Sequence, residues 1–143
     1  MTETTLLTPV ETPTPAKAGK VAVIIGWVLT LLIVAAMVMG GLTDILQTDM
    51  AKEGLERAGY PEGAMVPLGW TMVGVAAVLL IPQTAILGGL LITAYMGGAV
   101  ATHVRMGDPL PMIIPAIVFA SLTWIALLLR ERRLRSLLPW RKV

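Results

Sequence analysis

The chain contains no cysteine and one histidine, His103. The first absence removes disulfides, thiol nucleophiles, iron–sulfur ligation and cysteine–zinc sites. The second leaves too few imidazoles for a haem or zinc centre without carboxylate help, so no metal site is expected. Charge is also scarce. Only 14% of the 143 residues are Asp, Glu, Lys or Arg, and they cluster between long uncharged stretches. No phosphate-cradling loop, nucleophile elbow, metal-binding helix motif or basic nucleic-acid patch is present. The "LGG" and "MGG" glycines lie inside apolar runs and match no dinucleotide fingerprint, and no nucleic-acid partner is expected.

What is abundant is apolar. The apolar residue types make up 56% of the chain, and the mean hydropathy is +0.80. Those values describe a small integral membrane protein whose immediate partner is the lipid bilayer. The expected fold is all-α: a multi-pass transmembrane four-helix bundle with spans at about 21–42, 66–81, 84–103 and 112–129. Pro67 fits a first helical turn, where a missing N–H costs nothing. Only Pro82 and Gln83 separate the second and third spans, so these form a tight helical hairpin. Residues 1–20 are rich in Thr and Pro and read as a disordered tail. The apolar run after Lys20 is too long for a signal peptide and has no clear cleavage site.

Basic residues orient the bundle. Lys17 and Lys20 precede the first span, and six Lys or Arg follow the fourth within 130–143. The connections on the opposite side hold only Lys52, Arg57 and Arg105. Eight against three places both termini in the cytoplasm. The acidic segment between the first two spans then faces outward. Within it, Asp49 to Ala58 reads as a short surface helix closed by Gly59 and Pro61. In the basic C-terminal segment, Leu134, Leu137, Leu138 and Trp140 read as dipping into the acyl boundary.

Along the third span, Ala85, Gly89, Thr93, Gly97 and Ala101 recur every four residues. Small residues let membrane helices approach closely, so this strip is expected to pack helices, within the bundle or in a homo-oligomer. At the outer end of the same span, His103 stands near Arg105 and Asp108, with Asp44 at the outer end of the first span. Two readings of this group stand side by side. His103 either caps the helix C-terminus through the macrodipole or joins Arg105, Asp44 and Asp108 in a ligand site. The buried parts of the spans are expected to hold no acid, lysine or arginine, which argues against a proton pump or charge-relay transporter. Trp27, Trp70, Trp124 and Tyr95 read as interface anchors or packing aromatics.

The stretch "LIPQTAILGGLLITAYMGGAVATHVRMGDP", Leu80 to Pro109, resembles the DoxX-like membrane proteins of bacteria. "GYP" at Gly59, "LGW" at Leu68 and the closing "RERRLRSLLPWR" are similar to that family too. The resemblance implies a four-helix bundle in the bacterial inner membrane. It also implies a link to quinone-dependent oxidation, as an accessory subunit beside a redox partner with quinone as the cofactor in play. It assigns the family histidine to His103 and the following arginine to Arg105. The chain departs from the family pattern at Trp70, Thr71 and Met72, where an acid is common. It departs again at Gln83, where a base is common, and at Thr43 and Asp44, where a lysine is. Those departures favour the alternative expectation, a non-catalytic binding or assembly protein for lipid or a protein partner.

Overall fold

The structure is a computed structural model that describes residues 19–131 and Leu134. Expectations for the N-terminal tail and for Leu137, Leu138 and Trp140 fall outside the described residues. The fold is all-helical. It comprises α1 (Lys20–Ile45), α2 (Asp49–Arg57), α3 (Met65–Leu80), α4 (Ala85–Met106) and α5 (Leu110–Arg130), with a 3-10 turn at Glu62–Ala64 before α3. Among the described residues that is five α-helices rather than four, because the surface helix read over the acidic segment forms as α2. Among the described residues three helices, α1, α4 and α5, are long and apolar enough to cross a membrane. The fourth long helix, α3, has 16 residues. It rises about 24 Å, against a hydrocarbon core of about 30 Å.

The long helices form a closed ring. α1 packs on α3, α3 on α4 and α4 on α5, and α5 returns to α1. A glycine sits at each of these four interfaces. A Cβ on Gly41 would stand 2.7 Å from the Gly69 carbonyl oxygen, which joins α1 to α3. A Cβ on Gly88 would fall on the Leu79 backbone, which joins α4 to α3. Gly89 meets Leu127 of α5, and Gly26 of α1 meets the Ala126 carbonyl and the Arg130 amide. The hairpin between α3 and α4 is as tight as Pro82 requires. The Thr84 hydroxyl donates to the Val78 carbonyl at 2.8 Å, satisfying one open carbonyl at the end of α3.

Between the helices, Ile33, Met37, Ala76, Leu79, Ile92 and Leu127 make up the core. Two threonines are fully buried there, Thr30 and Thr123. Each returns its hydroxyl to the carbonyl four residues earlier, at 2.8 and 2.9 Å, so neither is an unpaired polar group. The outward faces are apolar as well. Leu32 of α1, Leu90 of α4 and Ile117 of α5 are all at least half exposed.

The four-residue strip of α4 does not lie in one interface. Ala85 and Gly89 are buried, together with Gly88 and Ile92. Thr93 accepts a hydrogen bond from the Trp124 indole at 2.9 Å. Gly97 and Ala101 are exposed. The reason is geometric: four residues turn an α-helix about 40° past a full revolution, so four such steps carry the strip roughly 160° around the axis.

Arg130 departs from expectation. Its side chain is 1% exposed, although its position reads as the start of a cytoplasmic tail. The guanidinium donates to the Leu79 carbonyl at 2.8 Å and stacks 4.4 Å from the centre of the Trp27 ring. It thus ties α5 to the ends of α3 and α1, and a buried cation stands where none is expected. Leu134, read as an acyl-boundary residue, belongs to the core cluster instead.

Two substitutions on α4 separate its packed and open sides. Gly88→Ala drives a methyl into the Leu79 backbone and should cost about 1–3 kcal/mol. Gly97→Ala, with nothing within 4 Å of the added carbon, should stay within about 0.5 kcal/mol of wild type. Thermal unfolding of both variants in one detergent checks the contrast.

Candidate functional site

The site is built by the way α4 ends. Gly107 has φ +72°, the left-handed conformation that a glycine adopts without steric cost. The Gly107 amide donates to the Val104 carbonyl at 3.1 Å, and the Asp108 amide donates to the His103 carbonyl at 3.0 Å. This pair of bonds is the Schellman closure of a helix C-terminus. It folds Asp108 back over the turn it follows. There its carboxylate reaches Nδ1 of His103 at 2.6 Å, and its side chain is 2% exposed.

α2 ends in the same manner. Gly59 has φ +69°, the Tyr60 amide donates to the Leu55 carbonyl at 3.1 Å, and the Gly59 amide donates to the Glu56 carbonyl at 2.9 Å. The two ends interlock. Arg57, the last residue of α2, pairs with the second oxygen of Asp108. Arg105 donates to the carbonyl of Ala58, which caps α2. The same guanidinium lies 5.8 Å from the centre of the Tyr60 ring, and the Tyr60 hydroxyl is 3.0 Å from the Thr102 hydroxyl. Asp108 is therefore a shielded carboxylate with both oxygens engaged, held between an arginine of α2 and the histidine of α4.

Docking α2 in this way roofs a cleft of about 440 Å³ between α2, α3 and α4. Its walls include Leu55 of α2, Leu68 of α3, and Tyr95, Gly98, Thr102 and His103 of α4. On α4 these residues follow helical spacing, so one face of the helix floors the cleft. His103 is one-third exposed. Its Nε2 has no hydrogen-bond partner among the described residues.

Of the residues expected at a site, the structure brings His103, Arg105 and Asp108 together. Asp44 is not with them. It lies on α1 with its Cβ against Gly69 of α3 and interacts electrostatically with Tyr95. His103 occupies the last turn of α4, yet its ring engages Asp108 rather than the terminal carbonyls. Arg57, Tyr60 and Thr102 are partners that the sequence did not place at this site. Arg57 is 51 residues from Asp108, and no local pattern encodes that pairing. A weaker signal was present in "HVRMGD" and "LERAGY", each with a glycine where a helix closes. Both oxygens of Asp108 are already engaged, one by Arg57 and one by His103. Among the described residues no three of His, Cys, Asp or Glu gather.

The family model described as the DoxX-like family matches residues 28–126. The chain belongs to the DoxX-like family. No curated protein and no solved structure matches it. The match runs from within α1 to within α5 and takes in the whole interlock of α2 with α4. With that membership, and with long apolar helices whose outer faces are themselves apolar, this DoxX-like chain is a membrane protein.

The shared carboxylate is the point to test. Asp108→Ala leaves Arg57 and His103 without their common acceptor. Discounted for the exposure of Arg57, the loss should loosen α2 by about 2 kcal/mol. Hydrogen exchange across Asp49–Arg57 should then run roughly 30-fold faster, with the core of α1 unaffected.

Proposed function

We propose that this DoxX-like protein is a four-span, multi-pass protein of the bacterial inner membrane with both termini in the cytoplasm. Its role is that of an accessory subunit of a quinone-linked redox complex, holding an apolar ligand in the cleft beneath α2. The observation that carries this reading is His103. Its Nδ1 is taken by Asp108, and the ring borders a cleft of about 440 Å³ whose walls include apolar side chains. Ligand pockets combine that volume and lining with a few fixed polar groups. Histidine held by a carboxylate is oriented and fixed in tautomer, as a hydrogen-bonding group toward a ligand requires. Arg105 supports the site by pinning the end of α2. Electron transfer belongs to the partner, and no chemical step is assigned to this chain.

Four spans require α3 to cross with the other long helices. Its place in the closed ring beside α1 and α4 supports this, and a short span is accommodated by local thinning of the bilayer. The excess of basic residues outside the first and last spans supports cytoplasmic termini.

A second reading has one observation in its favour. Gly97 and Ala101 leave a small-residue surface exposed on α4, of the kind by which membrane helices associate. On that reading the protein is an assembly factor for a protein partner, a second copy or lipid, without a redox role.

Mass spectrometry after mild detergent extraction decides between them. Wild type should retain a membrane quinol, which reaches the detector as quinol or as its air-oxidised quinone, and His103→Ala should retain at least tenfold less. Bulk lipid alone in both preparations rejects the redox reading. Orientation is tested separately, because the chain has no cysteine of its own. Lys52→Cys should react with a membrane-impermeant maleimide on intact spheroplasts, and Gly19→Cys only after the membrane is opened.

A further inference from the structure

We infer that the cleft selects ligands that donate a hydrogen bond: apolar molecules carrying an O–H, of the phenol or hydroquinone class, over ketones, quinones and ethers of the same shape. The inference rests on the cleft being a ligand site, and it names the chemistry that the site recognises.

The argument runs through atoms. Arginine has only donors. Arg57 therefore demands an acceptor, and Oδ1 of Asp108 supplies it. Arg57 also places a counter-charge beside a carboxylate whose side chain is 2% exposed. An ionised carboxylate has no proton to give. Its other oxygen, 2.6 Å from Nδ1 of His103, must accept, so Nδ1 carries the proton. That bond sets the tautomer of the imidazole, with Nδ1 as the donor. In that tautomer Nε2 is a bare lone pair. It has no partner among the described residues, and the ring borders the cleft.

The other polar groups at the cleft do not supply a competing donor at this end. The Thr102 hydroxyl bonds the Gly98 carbonyl at 3.0 Å and faces Tyr60. Arg105 is not among the residues lining the cleft, and its guanidinium is turned to the Ala58 carbonyl and the Tyr60 ring. From α3 the cleft is met by Leu68, which has no polar atom in its side chain. Tyr95 stands two turns earlier on α4, about 12 Å along the axis. A ligand seated against His103 therefore meets an acceptor. A ligand able only to accept would leave Nε2 buried against another lone pair, and sites built to hydrogen-bond one partner reject its non-bonding analogue strongly.

The single histidine makes the test direct, since selective ¹⁵N-histidine labelling yields one imidazole. The probes are 4-octylphenol and its methyl ether, titrated into the full chain in detergent micelles. In wild type without probe, Nδ1 should be the protonated nitrogen and Nε2 the unprotonated one. The phenol should shift Nε2 saturably and bind at least tenfold more tightly than the ether. Asp108→Asn should abolish or reverse that preference. Its carbonyl oxygen remains on Arg57, so its amide N–H must face Nδ1, and the proton moves to Nε2.

A proton on Nε2 in wild type overturns the inference without any ligand or variant. Equal binding of phenol and ether at the His103 resonance overturns it while leaving the cleft as a site. Retained phenol preference in Asp108→Asn removes the carboxylate as its cause. No perturbation by either probe overturns both the inference and the cleft as an apolar ligand site.

Discussion

Close backbone approach is the constraint on which this molecule depends. A helix whose outer face is as apolar as its inner face gains little from hydrophobic sorting once lipid surrounds it. Association must come from packing. Each interface of the ring therefore has a glycine at its close point, and at three of the four the glycine faces backbone, where only a hydrogen atom fits. Gly41 and Gly69 face each other's carbonyls, Gly88 rests on Leu79, Gly89 admits Leu127, and Gly26 admits the last turn of α5. The remaining core residues fill space that these contacts have already defined. The buried threonines cost nothing extra because their hydroxyls close on their own helix.

The two ends of the bundle are finished by different means. At the end holding both termini, one arginine gathers three helices through a carbonyl and an indole ring. At the opposite end, two helix closures of the same type are set against each other. Each sends a charged side chain into the other's unfinished backbone or carboxylate. The consequence is that α2, nine residues long and with little buried surface of its own, acquires a fixed position. That position turns one face of α4 from an exposed strip into the floor of a cleft. The same carboxylate that holds α2 also bonds the imidazole beside the cleft, so the roof and the histidine share one anchor.

Much of the helical layout was legible in the sequence because it rests on local physics. Uncharged runs, Pro82, Gly59 and Gly107 mark where helices begin and stop, and each acts within a turn or two. The short helix α2 was legible for the same reason. His103, Arg105 and Asp108 were legible as neighbours because the first and last are only five positions apart, and a glycine lies between them. The strip on α4 was legible as small residues but not as a surface. A four-residue repeat drifts around a helix of 3.6 residues per turn, so its two halves serve different sides.

By itself, then, the sequence determined the helical class, the apolar segments, the places where they break and the membership in the DoxX-like family. All of these follow from composition and from interactions between residues close along the chain. Only the tertiary structure decided that Arg130 is a core residue, that Asp44 stands apart from His103, and that Arg57 completes the carboxylate pair. Those outcomes depend on which helix faces meet across the ring. The meeting of faces is settled by packing between residues on different helices, for which a single sequence carries no local signature.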